Sequence, residues 1–219
     1  MSKKWFSIAL SVLLCLLSFA GCSFSPAEPV LSEEEVETLR DEYPVQPISF
    51  SPVVDIDTSG TVEQMAATMD TAVYGKVISP RKWKNVSTAG TDHPELEEKK
   101  ENLTSGAGTA TFLCYEMEVV RDAGGKYKKG DKVVFSITEM LEDTIPDFQE
   151  GDGVIFLGAY FDGKENALEN EIATTFKGIY YVTDDGYALS TCGEDPQTAR
   201  ASGMTADDCL DLLYHLTQK

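Results

Sequence analysis

The chain has 219 residues and a formal net charge of −19, with 37 acidic residues against 18 basic ones. So acidic a chain is repelled by phosphate backbones and by anionic lipid head groups, which argues against nucleic-acid binding and against electrostatic adhesion to a membrane. The length is sufficient for one domain with a hydrophobic core, together with a tether.

The first twenty-two residues have the pattern of an export signal. Lys3 and Lys4 precede an uncharged run of apolar or small residues from Trp5 to Phe19, and two small residues then precede Cys22. The apolar run is about fifteen residues long, whereas a helix that spans a bilayer needs roughly twenty. Residues 1–21 are therefore predicted to be a removable signal peptide.

The end of this signal, Ala20-Gly21-Cys22, resembles the lipobox of bacterial lipoproteins, in which the cysteine is lipidated and becomes the mature N-terminus. The resemblance implies a palmitate-type lipid on Cys22 and a location at the extracytoplasmic face of the cell membrane. Phe19 stands where that family usually has Leu. The alternative is ordinary cleavage after Ala20, because Ser18 and Ala20 fit the small-x-small rule; the protein would then be secreted.

Residues 22–60 are predicted to be an acidic, Pro-rich tether. Five of the nine prolines of the chain lie here, which disfavours a long helix or a sheet strand. One short helix is expected, because Ser32 and Glu35 form a capping box and Val36 and Leu39 provide an apolar edge.

The folded domain is expected over residues 61–219. A second capping box, Thr61 and Gln64, begins a helix that leads into a strand over residues 72–78. The polar stretch 87–108 is longer than most loops between packed elements, so it is predicted to be functional or disordered.

Alternating apolar and polar residues predict further strands along the chain. They cover residues 109–120, 132–138 and 153–161, and the hairpin arms 178–182 and 187–191. The strand over residues 153–161 is apolar on both faces, so it should be central and covered. The last helix, capped by Thr205 and carrying Leu212 and Leu216 on one face, is the best candidate to cover it.

Short strands, glycine-rich turns and a helix at each end indicate a mainly β (α+β) fold. We expect a small OB-like antiparallel barrel, closed or partly open, with a helix before the first strand and a C-terminal covering helix. The segments Val73-Tyr74-Gly75-Lys76-Val77, 128–133, 150–157 and Gly178-Ile179-Tyr180 follow one another in an order that resembles the domain of uncharacterised lipoproteins from Gram-positive bacteria, with an OB-like or netrin-like barrel. The resemblance implies a fold and a cell-surface setting, and it supplies no catalytic residues.

The three cysteines after Cys22 allow two interpretations. Cys192 and Cys209 could close a loop near the C-terminus in an oxidising compartment, or Cys114, Cys192 and Cys209 could all be small buried hydrophobic residues. No cysteine spacing resembles a zinc site, and we expect no metal or cofactor.

Four patterns suggest chemistry, and each has a simpler explanation. Asp57-Thr58-Ser59-Gly60 is similar to the aspartic-protease loop but has no second copy, so it is interpreted as a turn. Gly106-Ala107-Gly108 lacks the following helix that would bind a phosphate. The acidic segment 139–152 offers oxygens that Ca²⁺ prefers, in a spacing that matches no EF-hand. Nucleophilic catalysis would require the fold to bring a base or nucleophile to His93 or Cys114.

The sequence therefore favours a non-catalytic binding or accessory module, anchored to the membrane by a lipid on Cys22 and contacting an envelope protein or a small-molecule ligand. The loops 87–108 and 139–152 are the expected contact surfaces. Candidate aromatic contacts are Trp83, Tyr115, Phe148 and Tyr160. The alternative is an extracellular hydrolase or redox protein that uses His93 or Cys114.

Overall fold

A computed structural model describes residues 27–47, 60–79, 81–87, 109–161, 167–192 and 196–219. The strands are β1 (Thr71–Val77), β2 (Lys82–Ser87), β3 (Thr109–Asp122), β4 (Lys132–Thr138), β5 (Gly153–Tyr160), β6 (Glu171–Val182) and β7 (Ala188–Ser190). The helices are α1 (Glu33–Leu39), α2 (Val62–Ala66), α3 (Pro196–Ala201) and α4 (Ala206–Thr217), with a 3-10 helix over Glu139–Thr144. Among these residues, no helix is long and apolar enough to cross a bilayer.

The sheet closes on itself. β1 pairs antiparallel with β5 on one side and with β3 on the other, and the order continues from β5 through β6 and β4 back to β3. β2 pairs antiparallel with the first half of β3, and β7 pairs antiparallel with the end of β6. The result is a barrel-like ring of five strands with two shorter strands attached, so the mainly β fold expected from the sequence is confirmed.

One pairing departs from the antiparallel barrel that was expected. β6 runs parallel to β4, with Val134 opposite Glu171 and Ser136 opposite Ala173, and this pairing closes the ring. The sequence predicted only the second half of β6. Its first half was missed because two charged residues, Glu171 and Lys177, interrupt the apolar pattern although both are buried in the fold.

β5 is covered on both faces, as its sequence predicts. Val154 and Phe156 lie in the cluster that fills the ring, whereas Ile155 and Leu157 lie in a second cluster outside it. α4 covers this second cluster with Cys209, Leu210, Leu212, Leu213 and Leu216. Burying an apolar side chain of this size stabilises a fold by about 1.5–3 kcal/mol, so α4 is needed to keep the outer face of β5 out of water.

Residues 27–47, which we name the strap, run across the folded domain. α1 begins at the predicted capping box, in which Ser32 accepts from the Glu35 N–H and Glu35 accepts from the Ser32 N–H at 2.8 Å. The N–H groups of Val30 and Leu31 donate to the carbonyl of Gly203 at 2.8 and 3.1 Å. The stretch expected to be a tether therefore includes a segment that is bonded to the domain.

The strap also joins the core through aromatic rings. Tyr43 contacts Tyr181 edge-on at a centroid distance of 5.5 Å, and Tyr181 contacts Phe148 at 5.8 Å. The Tyr181 hydroxyl donates to the carbonyl of Pro44 at 3.0 Å. Because Phe148 belongs to the cluster inside the ring, the strap covers one end of that cluster.

Cys192 and Cys209 are not joined to each other. Cys192 belongs to the cluster inside the ring and Cys209 to the cluster under α4, and both are buried thiols. Of the two interpretations of the cysteines, the structure favours small buried hydrophobic residues.

Gly178 tests the packing between β5 and β6. A Cβ atom added there would lie 2.7 Å from the Cβ of Leu157, which has no room to move because Leu157 is fully buried. We expect Gly178→Ala to lower the free energy of unfolding by about 1–3 kcal/mol. Thermal unfolding followed by circular dichroism should show a fall in Tm of about 2–4 °C for each kcal/mol lost.

The matched control is Gly60→Ala, because no atom comes within 3.6 Å of the added Cβ. This variant should unfold at or above the temperature of the unmodified chain. Equal Tm values for the two variants would contradict the tight contact between Gly178 and Leu157.

Candidate functional site

Several residues expected to carry chemistry lie outside the described part of the chain. These are Cys22, His93, Asp57-Thr58-Ser59 and Gly106-Ala107-Gly108. His215 is half-buried on α4, the helix that covers the outer face of the ring. Of the two expected catalytic residues, His93 and Cys114, only Cys114 lies within the described residues.

Cys114 lies beside a buried polar cluster at the point where β4 and β6 close the ring. Glu171, the first residue of β6, is 1% exposed, and its carboxylate accepts from the Ser136 hydroxyl at 2.7 Å. It also accepts from the Lys84 ammonium and from the N–H of Leu168, each at 2.6 Å. Cys114 on β3 is the antiparallel neighbour of Ser136. We name Lys84, Ser136 and Glu171 the seam cluster.

Strand alternation explains why these polar groups meet on the outside of the ring. Leu113 and Tyr115 point into the core, so Cys114 between them points outward, and Ser136 does the same between Phe135 and Ile137. Lys84 reaches the cluster from β2, where its ammonium lies 5.5 Å from the ring centroid of Phe112. The cluster thus fastens β2 and β6 to the two strands between them.

The electrostatics of this cluster do not activate the thiol. Burial and, to a smaller extent, the negative charge of Glu171 raise the pKa of Cys114 to about 11, although the positive charge of Lys84 opposes them. The thiolate is the nucleophilic form of cysteine. At neutral pH Cys114 is therefore held as an unreactive thiol, and the Ser136 hydroxyl and the Lys84 ammonium are both bonded to Glu171.

The acidic segment does not assemble a cation site among the residues that the structure describes. Arg81 pairs with Glu142 at 2.9 Å and with Asp147 at 3.5 Å, and Asp152 accepts from the Gln149 N–H at 2.7 Å. No three His, Cys, Asp or Glu side chains of the described residues converge as metal ligands would. The calcium hypothesis gains no support from this geometry.

The four candidate aromatic contacts are placed in three different settings. Tyr115 and Phe148 are 1% and 2% exposed and contact each other inside the ring. Tyr160 is half-buried, and its hydroxyl donates to the carboxylate of Asp122 at 2.9 Å. Trp83 on β2 is 46% exposed, so it is the one of the four that presents its ring to solvent.

A pocket of about 610 Å³ lies between the strap and α3, and we name it the strap pocket. Its apolar lining comes from Pro29, Leu31, Val36 and Val45 of the strap, from Ala199 of α3 and from Cys192, just after β7. Charged and polar residues, Glu33, Glu37, Arg40, Arg200 and Ser202, complete the lining. A cavity of this volume, mostly apolar with a few polar groups, has the dimensions of a small-molecule site.

Arg40 fixes the wall of the strap pocket. Its guanidinium donates to the carbonyl oxygens of Ser190 at 2.8 Å and Tyr43 at 3.2 Å, and to the Ser202 hydroxyl at 3.3 Å. Burial lowers the pKa of Arg40, but an arginine stays protonated at any physiological pH. Arg40 therefore joins the strap to β7 and to the residue that follows α3.

The remaining charges of the pocket stand on opposite walls. Glu33 and Glu37 lie on α1, and Arg200 lies in the last turn of α3. Within the described parts of the chain, none of the three side chains forms an ion pair shorter than 4.0 Å. Arg40 forms no such pair among these residues either, and the negative charge of nearby Glu37 favours its protonated form.

Sequence reasoning missed this pocket because the prolines of residues 22–60 indicated a tether. One signal was available: Glu33, Val36, Glu37 and Arg40 have the i, i+3, i+4, i+7 spacing of a single helical face. A helical face that combines an apolar residue with charges of both signs is suited to packing against another element of the fold. What the sequence lacks is any indication of the opposite wall, since α3 was not predicted.

No protein-family model matches the sequence, and no curated protein matches it.

The seam cluster makes a specific prediction about stability. Lys84→Met removes the cation from a carboxylate that is 2% exposed in its side chain, and leaving such a charge unpaired costs about 3–5 kcal/mol. We expect the double variant Lys84→Met/Glu171→Leu to lose less stability than the single variant, because no charge is then left buried. Urea unfolding at pH 7 measures all three free energies.

The matched control is Lys82→Met, which lies on β2 as Lys84 does. It breaks the exposed ion pair between Lys82 and Glu116 of β3. An exposed pair contributes at most about 1 kcal/mol, so this variant should unfold close to the unmodified chain. If Lys84→Met and Lys82→Met have equal effects, Glu171 is not a buried anchor.

Proposed function

We propose that this protein is an extracytoplasmic lipoprotein, held in the cell membrane by a lipid on Cys22, whose domain is a non-catalytic binding module. The observation that carries the proposal is the arrangement of the N-terminal region. An export-signal pattern ends at Cys22, and the chain is bonded to the domain from Val30 onward. A lipid at Cys22 would therefore be connected to the folded domain with little slack.

The length of this connection sets the position of the domain. Eight residues lead from Cys22 to Val30, and they span at most about 28 Å when fully extended. The strap and the strap pocket are the parts of the domain nearest to that connection in the sequence. On the proposed anchor, the pocket is held at the membrane side of the domain.

The chemistry of the described residues supports binding better than catalysis. The buried thiol of Cys114 has a raised pKa, and the hydroxyl and ammonium beside it are bonded to Glu171. A nucleophile requires a lowered pKa or an adjacent base, and neither the burial nor the charges around Cys114 supply one. A preformed pocket with engaged walls and three further charged groups is suited to holding a ligand.

The anchor is tested by metabolic labelling with a palmitate analogue in a bacterial host that processes lipoproteins. The unmodified chain should be labelled, and Cys22→Ala should lose the label because the acceptor sulfur is gone. Cys15→Ala is the matched control: it removes a cysteine of the predicted signal peptide and should leave the labelling unchanged. Labelling that survives in Cys22→Ala would refute the anchor, and release of unlabelled protein into the medium would support simple secretion.

The non-catalytic assignment is tested by thiol reactivity. With a pKa of about 11, roughly 0.1% of Cys114 is thiolate at pH 8, against about a quarter for an ordinary cysteine. In the native Cys22→Ala chain, we expect iodoacetamide to alkylate Cys114 more than 100-fold more slowly than it alkylates free cysteine. When the chain is unfolded in about 8 M urea, the same thiol should be alkylated at the rate of an ordinary cysteine.

Peptide mass spectrometry at successive times identifies which cysteine carries the alkyl group. Alkylation of Cys114 at pH 8 as fast as that of free cysteine, in the native chain, would contradict the proposal and would favour the hydrolase or redox alternative.

A further inference from the structure

We propose that the strap is a releasable segment, and that its docking on the domain sets how far the domain reaches from the membrane anchor. With the strap docked, the chain is bonded to the domain from Val30 onward. With the strap released, the domain would begin near Gly60, the first described residue after the strap. The effect on reach rests on the proposed anchor at Cys22, whereas the release of the strap does not.

The strap lies on the surface of the domain and is not built into its core. None of residues 27–47 is buried, whereas five consecutive residues of β5, 154–158, are. Val36, Leu39 and Tyr43 contact the cluster inside the ring but remain partly exposed. A segment with few buried apolar contacts opens at a lower free energy than the core of the same domain.

Backbone hydrogen bonds dock the strap at its two ends. At the first end, the N–H groups of Val30 and Leu31 donate to the carbonyl of Gly203. At the other end, the N–H of Gln46 donates to the carbonyl of Thr191 at 2.8 Å. Between these ends, part of the strap faces the strap pocket of about 610 Å³ and not a packed surface.

Arg40 connects the two docking points. Its guanidinium donates to the carbonyl of Ser190, which precedes Thr191, and to the hydroxyl of Ser202, which precedes Gly203. Hydrogen bonds from a charged donor are stronger than those between neutral groups. Because one side chain contacts both docking points, we expect the two ends of the strap to dock and release together.

Release of the strap lengthens the connection between the anchor and the domain. Eight residues lead from Cys22 to Val30 and span at most about 28 Å, whereas 38 residues lead from Cys22 to Gly60 and span at most about 130 Å. A partner that lies too far from the membrane for the docked state is bound only by the released state. Its apparent affinity is then reduced by the fraction of molecules in the released state, so the stability of docking controls access to that partner.

Hydrogen exchange followed by NMR tests the release in the full chain carrying Cys22→Ala, independently of the anchor. The amides of Val30, Leu31 and Gln46 should have protection factors that agree within about 3-fold and lie at least about 100-fold below those of Ile155 and Leu157. The last two belong to β5, which has a partner strand on each side. Strap amides as protected as those of β5, or unequal protection at the two ends of the strap, would overturn the proposal.

Arg40→Gln tests the connection between the two docking points. It should lower the protection of Val30, Leu31 and Gln46 by about 10- to 100-fold, because hydrogen bonds from a charged group are lost. The matched control is Arg200→Gln, which makes the same change at an exposed residue of α3 that is not bonded to the strap in the described part of the chain. A loss of protection confined to one end, or equal losses from the two variants, would refute the role of Arg40.

Gly178→Ala provides the converse test. It weakens the packing between β5 and β6 in the docked and in the released chain alike. It should therefore lower the protection of Ile155 and Leu157 and leave that of Val30 and Gln46 unchanged. If the strap amides lose protection in parallel with β5, the strap opens only when the whole domain unfolds, and the proposal is wrong.

The effect on reach is measured by energy transfer from Trp83 to dansyl lipids in phosphatidylcholine vesicles that carry the lipidated chain. Trp83 is the only tryptophan after residue 21, so no dye is attached to the protein. The releasing variant is Arg40→Gln/Tyr43→Ala, which also removes the ring contact between Tyr43 and Tyr181. Its transfer should fall about 2-fold or more, because the root-mean-square span of a flexible chain grows from about 16 Å for eight residues to about 34 Å for 38.

Arg200→Gln is again the matched control and should transfer as much energy as the unmodified chain, while circular dichroism checks that the ring is intact in each variant. Equal transfer from the releasing variant and the unmodified chain would overturn the effect on reach. If no variant shows transfer, the chain is not held at the membrane and the anchor is wrong. The exchange measurements then still decide whether the strap is released.

Discussion

The structure depends on the closure of the ring between β4 and β6, and a single buried carboxylate holds that closure. The parallel pairing has three residue pairs, whereas β3 and β4 share seven. So short a ladder specifies its register weakly, and a slip by one residue would turn every side chain of β6 to the other face. Such a slip would direct Glu171 into the apolar interior of the ring. The bonds from Ser136, Lys84 and Leu168 therefore stabilise one register and penalise its neighbours.

The closure in turn determines what else the fold needs. A closed ring has an inside that the strands fill themselves, with Phe135 and Phe156 in edge contact at 4.7 Å. It also has an outside, and where a strand is apolar outward the surface must be covered. α4 covers β1 and β5, and an ion pair from Arg121 to Asp207 at 2.9 Å joins the helix to β3. The strap covers an end of the ring through Tyr43. Both α4 and the strap are therefore required by the closure of the ring.

The sequence predicted those features in which local pattern and burial agree. Both capping boxes form, and the doubly apolar segment 153–161 became the covered strand β5 because no other environment suits it. The prediction from sequence failed where a charged residue is buried. Glu171 is charged in the sequence and buried in the fold because two of its three partners, Ser136 and Lys84, lie 35 and 87 positions away, beyond any local window.

The same limit applies to the candidate site. Cys114 could be singled out as a nucleophile by residue type, but its environment depends on Ser136 and Glu171, which only the closed ring brings to it. The strap pocket was missed for a related reason: its two walls are separated by about 160 residues, and the wall with Arg200 belongs to a helix that the sequence did not predict. Prolines in the strap indicated a tether because they exclude regular structure, although they do not exclude packing.

Charge and chain length together determine how such a domain can stand at a membrane. A chain with a net charge of −19 is repelled by an anionic leaflet, and this repulsion decays over a Debye length of about 8 Å at physiological ionic strength. The connection of up to about 28 Å between Cys22 and Val30 is several Debye lengths long, so an anchored domain can stay beyond the repulsion without leaving the surface. A much shorter connection would press the acidic domain against the head groups. On the proposed anchor, the strap would meet two requirements at once: bonding from Val30 onward would hold the domain close to the membrane, and the eight residues before Val30 would leave the acidic surface beyond the repulsion.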